Sequence, residues 1–165
     1  MKVISLVILT MTVSSSLALA AGQKLPECRA ANGQLVNVVE GRSNVPSPAY
    51  STIMGGQPTI VFNVNFLDQV PNSRSVLGYI YLHECGHQAL GHTLNNPKSV
   101  AEVKKQELAA DCYAAKAIKQ LDNQNAHFID INSVLREVLT WPTDPEHPSG
   151  QVRSRVIISC YQGTN

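Results

Sequence analysis

The stretch YIYLHECGHQALGH, Tyr79 to His92, holds three of the five histidines in the chain. His83 and His87 are four positions apart, and Glu84 directly follows the first. On an α-helix, positions i and i+4 lie on one face. Both imidazoles then point the same way and can bind one metal ion. Glu84 is turned about 100° around the helix from His83, which sets it beside the metal rather than on it. Catalytic zinc sites use three protein ligands and leave one position for water or substrate. A carboxylate beside that position can serve as general base. H-E-x-x-H also occurs by chance in proteins without a metal. Here, though, His83 shares its helix face with Val76, Ile80 and Leu90, a face that reads as buried. A buried histidine pair needs partners. Cys85, turned about 200° from His83, points away from that face and reads as a half-cystine or a buried thiol. Gly86 costs on the order of 1 kcal/mol against Ala in mid-helix, so close packing is expected there.

The third ligand has two candidates. His92 would face the opposite side of a continued helix and could ligate only if the chain bends at Gly91. Glu107 sits in the next helical segment, KKQELAADCYAAKAI, with Asp111 four positions on and on the same face. Glu107 can give a carboxylate oxygen to zinc. Asp111, one turn on, can accept a hydrogen bond from a ligand imidazole and fix its tautomer. Small apolar neighbours, Leu108, Ala109, Ala110, Ala114 and Ala115, suit a tightly packed helix rather than a solvated acidic face.

At the start of the 165 residues, Lys2 precedes an apolar run from Val3 to Val13, and Ala18-Leu19-Ala20 fits a small-x-small cleavage pattern. The run is too short to span a bilayer, so residues 1–20 read as a secretory signal peptide cut near Ala20 or Ala21. An uncleaved anchor is the alternative. Residues 21–165 then form one domain of roughly 145 residues, enough for its own core. Once Lys2 is removed, basic and acidic residues balance. No basic stripe points to nucleic acid, and aromatic residues are few, which argues against base-stacking platforms. No later apolar run is long enough to insert stably in a membrane. An even set of four cysteines in an exported chain suggests two disulfides. Cys28 and Cys160 lie near the two ends of the mature chain, so Cys28–Cys160 with Cys85–Cys112 is the expected pairing.

QLVNVVEG reads as a short strand and Gly41 to Pro58 as a loop. PTIVFNVNFL, Pro58 to Leu67, alternates with period two and reads as a strand. Ser73 or Ser75 can cap a helix running to about Gly91. Ser99 and Glu102 form a capping box for a helix to about Leu121. IDINSVLREVLTW is a third helix, stopped before Pro142. QVRSRVIISCY is a final helix or strand.

H-E-x-x-H followed by E-x-x-A-D, here Glu107-Leu108-Ala109-Ala110-Asp111, resembles the signature of gluzincin metallopeptidases. It looks most like the soluble cores of the HtpX-like and prenyl-protease group and like small bacterial neutral zinc metallopeptidases carrying E-L-x-A-D-C-Y-A. EHPSGQVRSRVI is similar to that group's H-P-x-x-x-x-R element, at His147, Pro148 and Arg153. The resemblance covers about Thr59 to Ile157. It implies an α+β fold, a mainly helical zincin-like core with a small sheet whose edge strand lies over the active-site helix. It further implies one Zn²⁺ held by His83, His87 and Glu107, Glu84 as general base, and Asp111 behind the ligands. The strand Pro58 to Leu67 would be the substrate-aligning edge, with Ile60, Phe62, Val64 and Asn65 along the substrate. HtpX-like enzymes have membrane helices, whereas no such run follows the leader here.

The expected protein is therefore a secreted or periplasmic zinc endopeptidase acting on peptides or proteins. His147, Tyr113 and Arg153 are candidates to stabilise the oxyanion, with His147 favoured because a loop can place it over the cleft. His127 reads as a surface residue. The competing reading is a non-catalytic zinc-binding module, which would gain weight if His92 joined Glu107 to close a four-ligand site. A thiol-redox protein is disfavoured because no C-x-x-C occurs.

Overall fold

A computed structural model describes residues 25–67, 73–95 and 97–164. The expected signal peptide lies outside the described residues. The chain order is β1 (Asn37–Gly41), β2 (Ala49–Met54), β3 (Gln57–Asn63), α1 (Val64–Leu67), α2 (Arg74–Ala89), a 3-10 turn (His92–Leu94), α3 (Val100–Asn123), α4 (Ile131–Val138) and α5 (Gly150–Gln162). The fold is α+β, as expected: among the described residues, five helices and a small mixed sheet that packs mainly against α2. No helix among the described residues is long and apolar enough to cross a membrane.

Helix α2 is the centre of the molecule. Every residue from Gly78 to Gly86 is buried, so this segment is covered on all sides. Val76 and Ile80 are buried as expected, whereas Leu90, at the C-cap, is exposed. The chain leaves α2 at Gly91, whose φ of 72° is open to glycine without steric penalty. At α3 the Ser99 side chain accepts from the Glu102 amide at 3.2 Å, while the Glu102 carboxylate reaches back to the Lys98 amide. The last segment, left open by its β-branched residues, is a helix, and α4 stops at Val138, short of Trp141.

The sheet corrects three expectations. The segment Gly41 to Pro58 is not all loop, because Ala49–Met54 forms β2, joined to β3 through Gly55 and Gly56 at φ 57° and 79°. Two such glycines between strands are a tight-hairpin signal. The strand expected to reach Leu67 ends at Asn63, and Val64 and Asn65 lie in α1. Strand order is β1-β3-β2, β3 pairing parallel with β1 and antiparallel with β2, so β3 is the central strand and not the edge. Ile60 and Phe62 are 0% and 1% exposed and form core. None of Ile60, Phe62, Val64 and Asn65 lines either of the two clefts described below. Every residue of β3 from Pro58 to Asn63 is buried, so both faces of this central strand pack inside the protein.

The cysteines also pair differently from expectation. Cys28 bonds to Cys85 and Cys112 to Cys160. Cys85 leaves α2 on the side away from His83 and meets the N-terminal segment. Cys112 leaves α3 toward α5, which packs along it. The two half-cystines once expected to join therefore point to opposite partners.

Candidate metal centre

Helices α2 and α3 meet through small residues. A Cβ built on Gly86 would lie 3.1 Å from the Ala110 Cα and 3.1 Å from the Tyr113 Cβ. Ala110, Ala114 and Ala115 are 0% exposed. This close approach lets the side chains of His83 and His87 on α2 reach Glu107 on α3. The His83 Nε2 is 3.1 Å from the Glu107 Oε2, the His87 Nε2 is 3.3 Å from the Glu107 Oε1, and the two Nε2 atoms are 3.1 Å apart. Among the described residues these three side chains form the group able to hold a metal ion. The separations fit such an ion. Ligand atoms 2.0–2.1 Å from a tetrahedral zinc are about 3.3 Å from one another.

Each ligand histidine is fixed from behind. The Asp111 Oδ1 faces the His83 Nδ1 at 2.9 Å. Asp111 is fully buried, and also accepts from the Tyr79 hydroxyl at 2.5 Å, from Arg153 Nε at 2.9 Å and from Arg153 Nη2 at 2.7 Å. The Arg153 guanidinium stacks over the Trp141 ring, 5.0 Å from its centre. His92 does not join the ligand group. The bend at Gly91 brings its Nδ1 to 3.1 Å from the outer nitrogen of His87, Nδ1. Burial, together with the neighbouring His87, pushes the His92 pKa down to about 4, so at neutral pH its ring is uncharged and its Nδ1 can accept a hydrogen bond from the His87 Nδ1–H.

The electrostatics are those of a preformed cation site. Burial opposes charge on His83, but hydrogen bonds to Asp111 and Glu107, and the charges of both, outweigh it and raise the pKa to about 10. Burial likewise opposes charge on Glu107 and Asp111. Their histidine partners, and Arg153 for Asp111, nonetheless hold both carboxyls well below the usual range. The site stays negative until a cation, a proton or a metal, is bound.

Two clefts meet over this group. One, of about 510 Å³, runs past His83, Glu84 and His147 between the Pro46–Pro48 loop and the end of α4. The other, of about 240 Å³, follows β2 at Ala49, Tyr50 and Ser51 over His87 and Glu107. Glu84 lines both, and its carbonyl accepts from the Ser51 hydroxyl at 2.7 Å. Gln88 ties the same helix to the sheet through the carbonyls of Thr52 and Thr59 at 2.9 and 3.1 Å. His147 lies across the mouth. Its Nδ1 is 2.9 Å from Asp144 Oδ2, and its Nε2 is turned inward, 3.5 Å from Glu107 Oε2.

Tyr113 stands elsewhere than the oxyanion reading requires, and Arg153, though it lines the larger cleft, is committed to Asp111. The Tyr113 hydroxyl is 3.7 Å from Cys85 Sγ, on the far side of α2, and Arg153 is buried with Asp111. His127 is on the surface against Asp122. Sequence reasoning missed Trp141, Gln88 and β2 as parts of the site's surroundings. For β2 the Gly55-Gly56 pair was the available signal, whereas Gln88 and Trp141 carried none.

Two imidazoles and a carboxylate on paired helices, open to a double cleft and flanked by Glu84, define a protein able to hold one metal ion beside a free-standing carboxylate. The family model Peptidase U49 matches residues 43–165, and the chain belongs to this peptidase family. No curated protein and no solved structure matches the chain.

Proposed function

We propose that this protein is an exported zinc endopeptidase of the gluzincin type, with His83, His87 and Glu107 as ligands and Glu84 as general base. The observation that carries the reading is the convergence of the three ligand atoms at 3.1–3.3 Å beside Glu84. The donor set suits zinc, as nitrogen and carboxylate oxygen do. Bound there, zinc would supply Lewis acidity to a carbonyl and make water a usable nucleophile near neutral pH.

The chain's own residues do the rest. Glu84 takes the proton from the attacking water and returns it to the leaving amine. His147, turned by Asp144 so that Nε2 faces the cleft, donates to the carbonyl oxygen as it gains negative charge. Asp111 holds the His83 ring in the tautomer that leaves Nε2 free, and Arg153 neutralises Asp111 within the core. The outer edge of β2 lies along the smaller cleft and offers backbone groups to an extended peptide added as a further strand. Two disulfides support an oxidising compartment, secreted or periplasmic.

The test compares wild type with Glu84→Gln on an unfolded protein substrate, with bound metal measured in both. Cleavage lost on substitution while zinc is retained is the expected result. Equal zinc with no cleavage by either would replace the peptidase with a zinc-binding module. No zinc in either would end both readings.

A further inference from the structure

The larger cleft carries a substrate preference. Its walls are Pro46, Phe66, Tyr79, Ile80, Trp141 and Pro142, and it opens beside Glu84 and His147. A peptide lying along β2 with a bond at Glu84 has a neighbouring side chain at this opening. Apart from Glu84 and His147 at its opening, the polar side chains that line the cleft are already engaged inside the protein. The Tyr79 hydroxyl and the Arg153 guanidinium both bond to Asp111. The Trp141 indole N–H faces Glu137 Oε1 at 3.3 Å, Asp144 is held by His147, and the Ser47 hydroxyl donates to the Ala49 carbonyl. A polar side chain entering would shed its water against groups that already have partners, which is unfavourable. An acidic one would in addition face Glu84, Glu137 and Asp144 at the rim.

We infer that this cleft is a specificity site for a large apolar or aromatic side chain next to the scissile bond, with Trp141 as its principal wall. The inference rests on the peptidase reading for its scissile bond, but the cleft can be probed without cleavage. Trp141 is the single tryptophan of the chain, so intrinsic fluorescence reports on its occupancy.

The experiment uses the zinc-loaded full mature chain and a set of alanine-based peptides carrying one guest residue, Phe, Leu, Ala, Lys or Glu. Wild-type cleavage is mapped by mass. Binding to Glu84→Gln is followed by Trp141 emission. The expected result is cleavage adjacent to Phe or Leu with kcat/KM on the order of 10- to 200-fold above the Ala peptide. A saturable emission change at correspondingly lower peptide concentration should accompany it. In Ser47→Phe, which adds bulk at the cleft wall, the ratio of Phe to Ala cleavage falls at least tenfold. This ratio is internal to each variant and does not depend on the loaded fraction.

Cleavage indifferent to the guest residue, or favouring Lys through Glu137, overturns the inference and leaves the peptidase standing. An emission change selective for Phe without cleavage by wild type keeps the cleft and removes the peptidase. Neither signal with any peptide overturns both.

Discussion

Arg153 grips Asp111 with two donors, Nε at 2.9 Å and Nη2 at 2.7 Å, while Asp111 faces His83, one of the three side chains able to hold a metal ion, at 2.9 Å. A residue from α5 is thereby coupled to the candidate metal site on α2 through one carboxylate of α3. Both members of the ion pair are buried, at 0% and 4% exposure. Removing one leaves the other uncompensated, which typically costs about 3–5 kcal/mol. Asp111→Ala is expected to lose stability in that range in urea unfolding and to bind zinc at least tenfold more weakly. A loss of metal affinity without a loss of stability would uncouple the two roles.

The pH behaviour of the metal-free protein follows from His83. Its folded pKa is raised from 6.5 to about 10. The stabilisation from its bonds to Asp111 and Glu107 is therefore fully present below pH 6.5 and is lost as pH rises through about 10. Thermal midpoints of chelator-treated protein should fall across that interval, and those of His83→Gln should not show this component. Metal must displace the same proton, so calorimetry in buffers of different ionisation heat should find proton release on zinc binding at pH 8.

His92 is expected to act on the metal through His87. Loss of an outer-sphere partner typically costs 10- to 100-fold in affinity. His92→Ala should weaken zinc binding by about tenfold in a chelator competition, at unchanged stoichiometry of one per chain. Reduced stoichiometry would instead make His92 a ligand.

Two glycines separate packing from propensity. A Cβ on Gly150 would lie 2.0 Å from the Val138 carbonyl oxygen and 3.0 Å from those of Leu139 and Trp141. These are backbone atoms, so the α4–α5 junction must move, and Gly150→Ala should cost about 1–3 kcal/mol or more. At Gly86 the contacts are 3.1 Å, and the gain in helix propensity is about 1 kcal/mol. Gly86→Ala should therefore be close to neutral in unfolding while spreading α2 from α3 and weakening metal binding. Unchanged affinity would show that the helices give way without disturbing the ligands.

The helical half of the fold and the convergence of His83, His87 and Glu107 could be read directly from the chain, because i, i+4 spacing fixes direction on a helix. His83 with His87, and Glu107 with Asp111, needed only the two helices to pack, and the alanines around Glu107 announced that they do. The sheet was less legible. Alternation in Thr59–Asn63 is compatible with an edge or a centre, and only the pairing of β1 and β2 decides. Trp141 and Arg153 lie on other elements than the motif residues, and their convergence depends on how α5 returns past Gly150. The cysteine pairing was misread from distance along the chain, when the direction of each side chain on its helix was the better guide.

Each bridge has one end a single residue after a residue of the centre: Cys85 follows Glu84, and Cys112 follows Asp111. Each also joins cysteines that are neighbours in order along the chain, first with second and third with fourth. A polypeptide that emerges from its N-terminus first can close Cys28 to Cys85 before Cys112 is in view. With Cys85 so engaged, the competing Cys85–Cys112 link lacks one of its thiols. Pairing of sequence neighbours is thus the arrangement that vectorial emergence of the chain favours over the Cys85–Cys112 link.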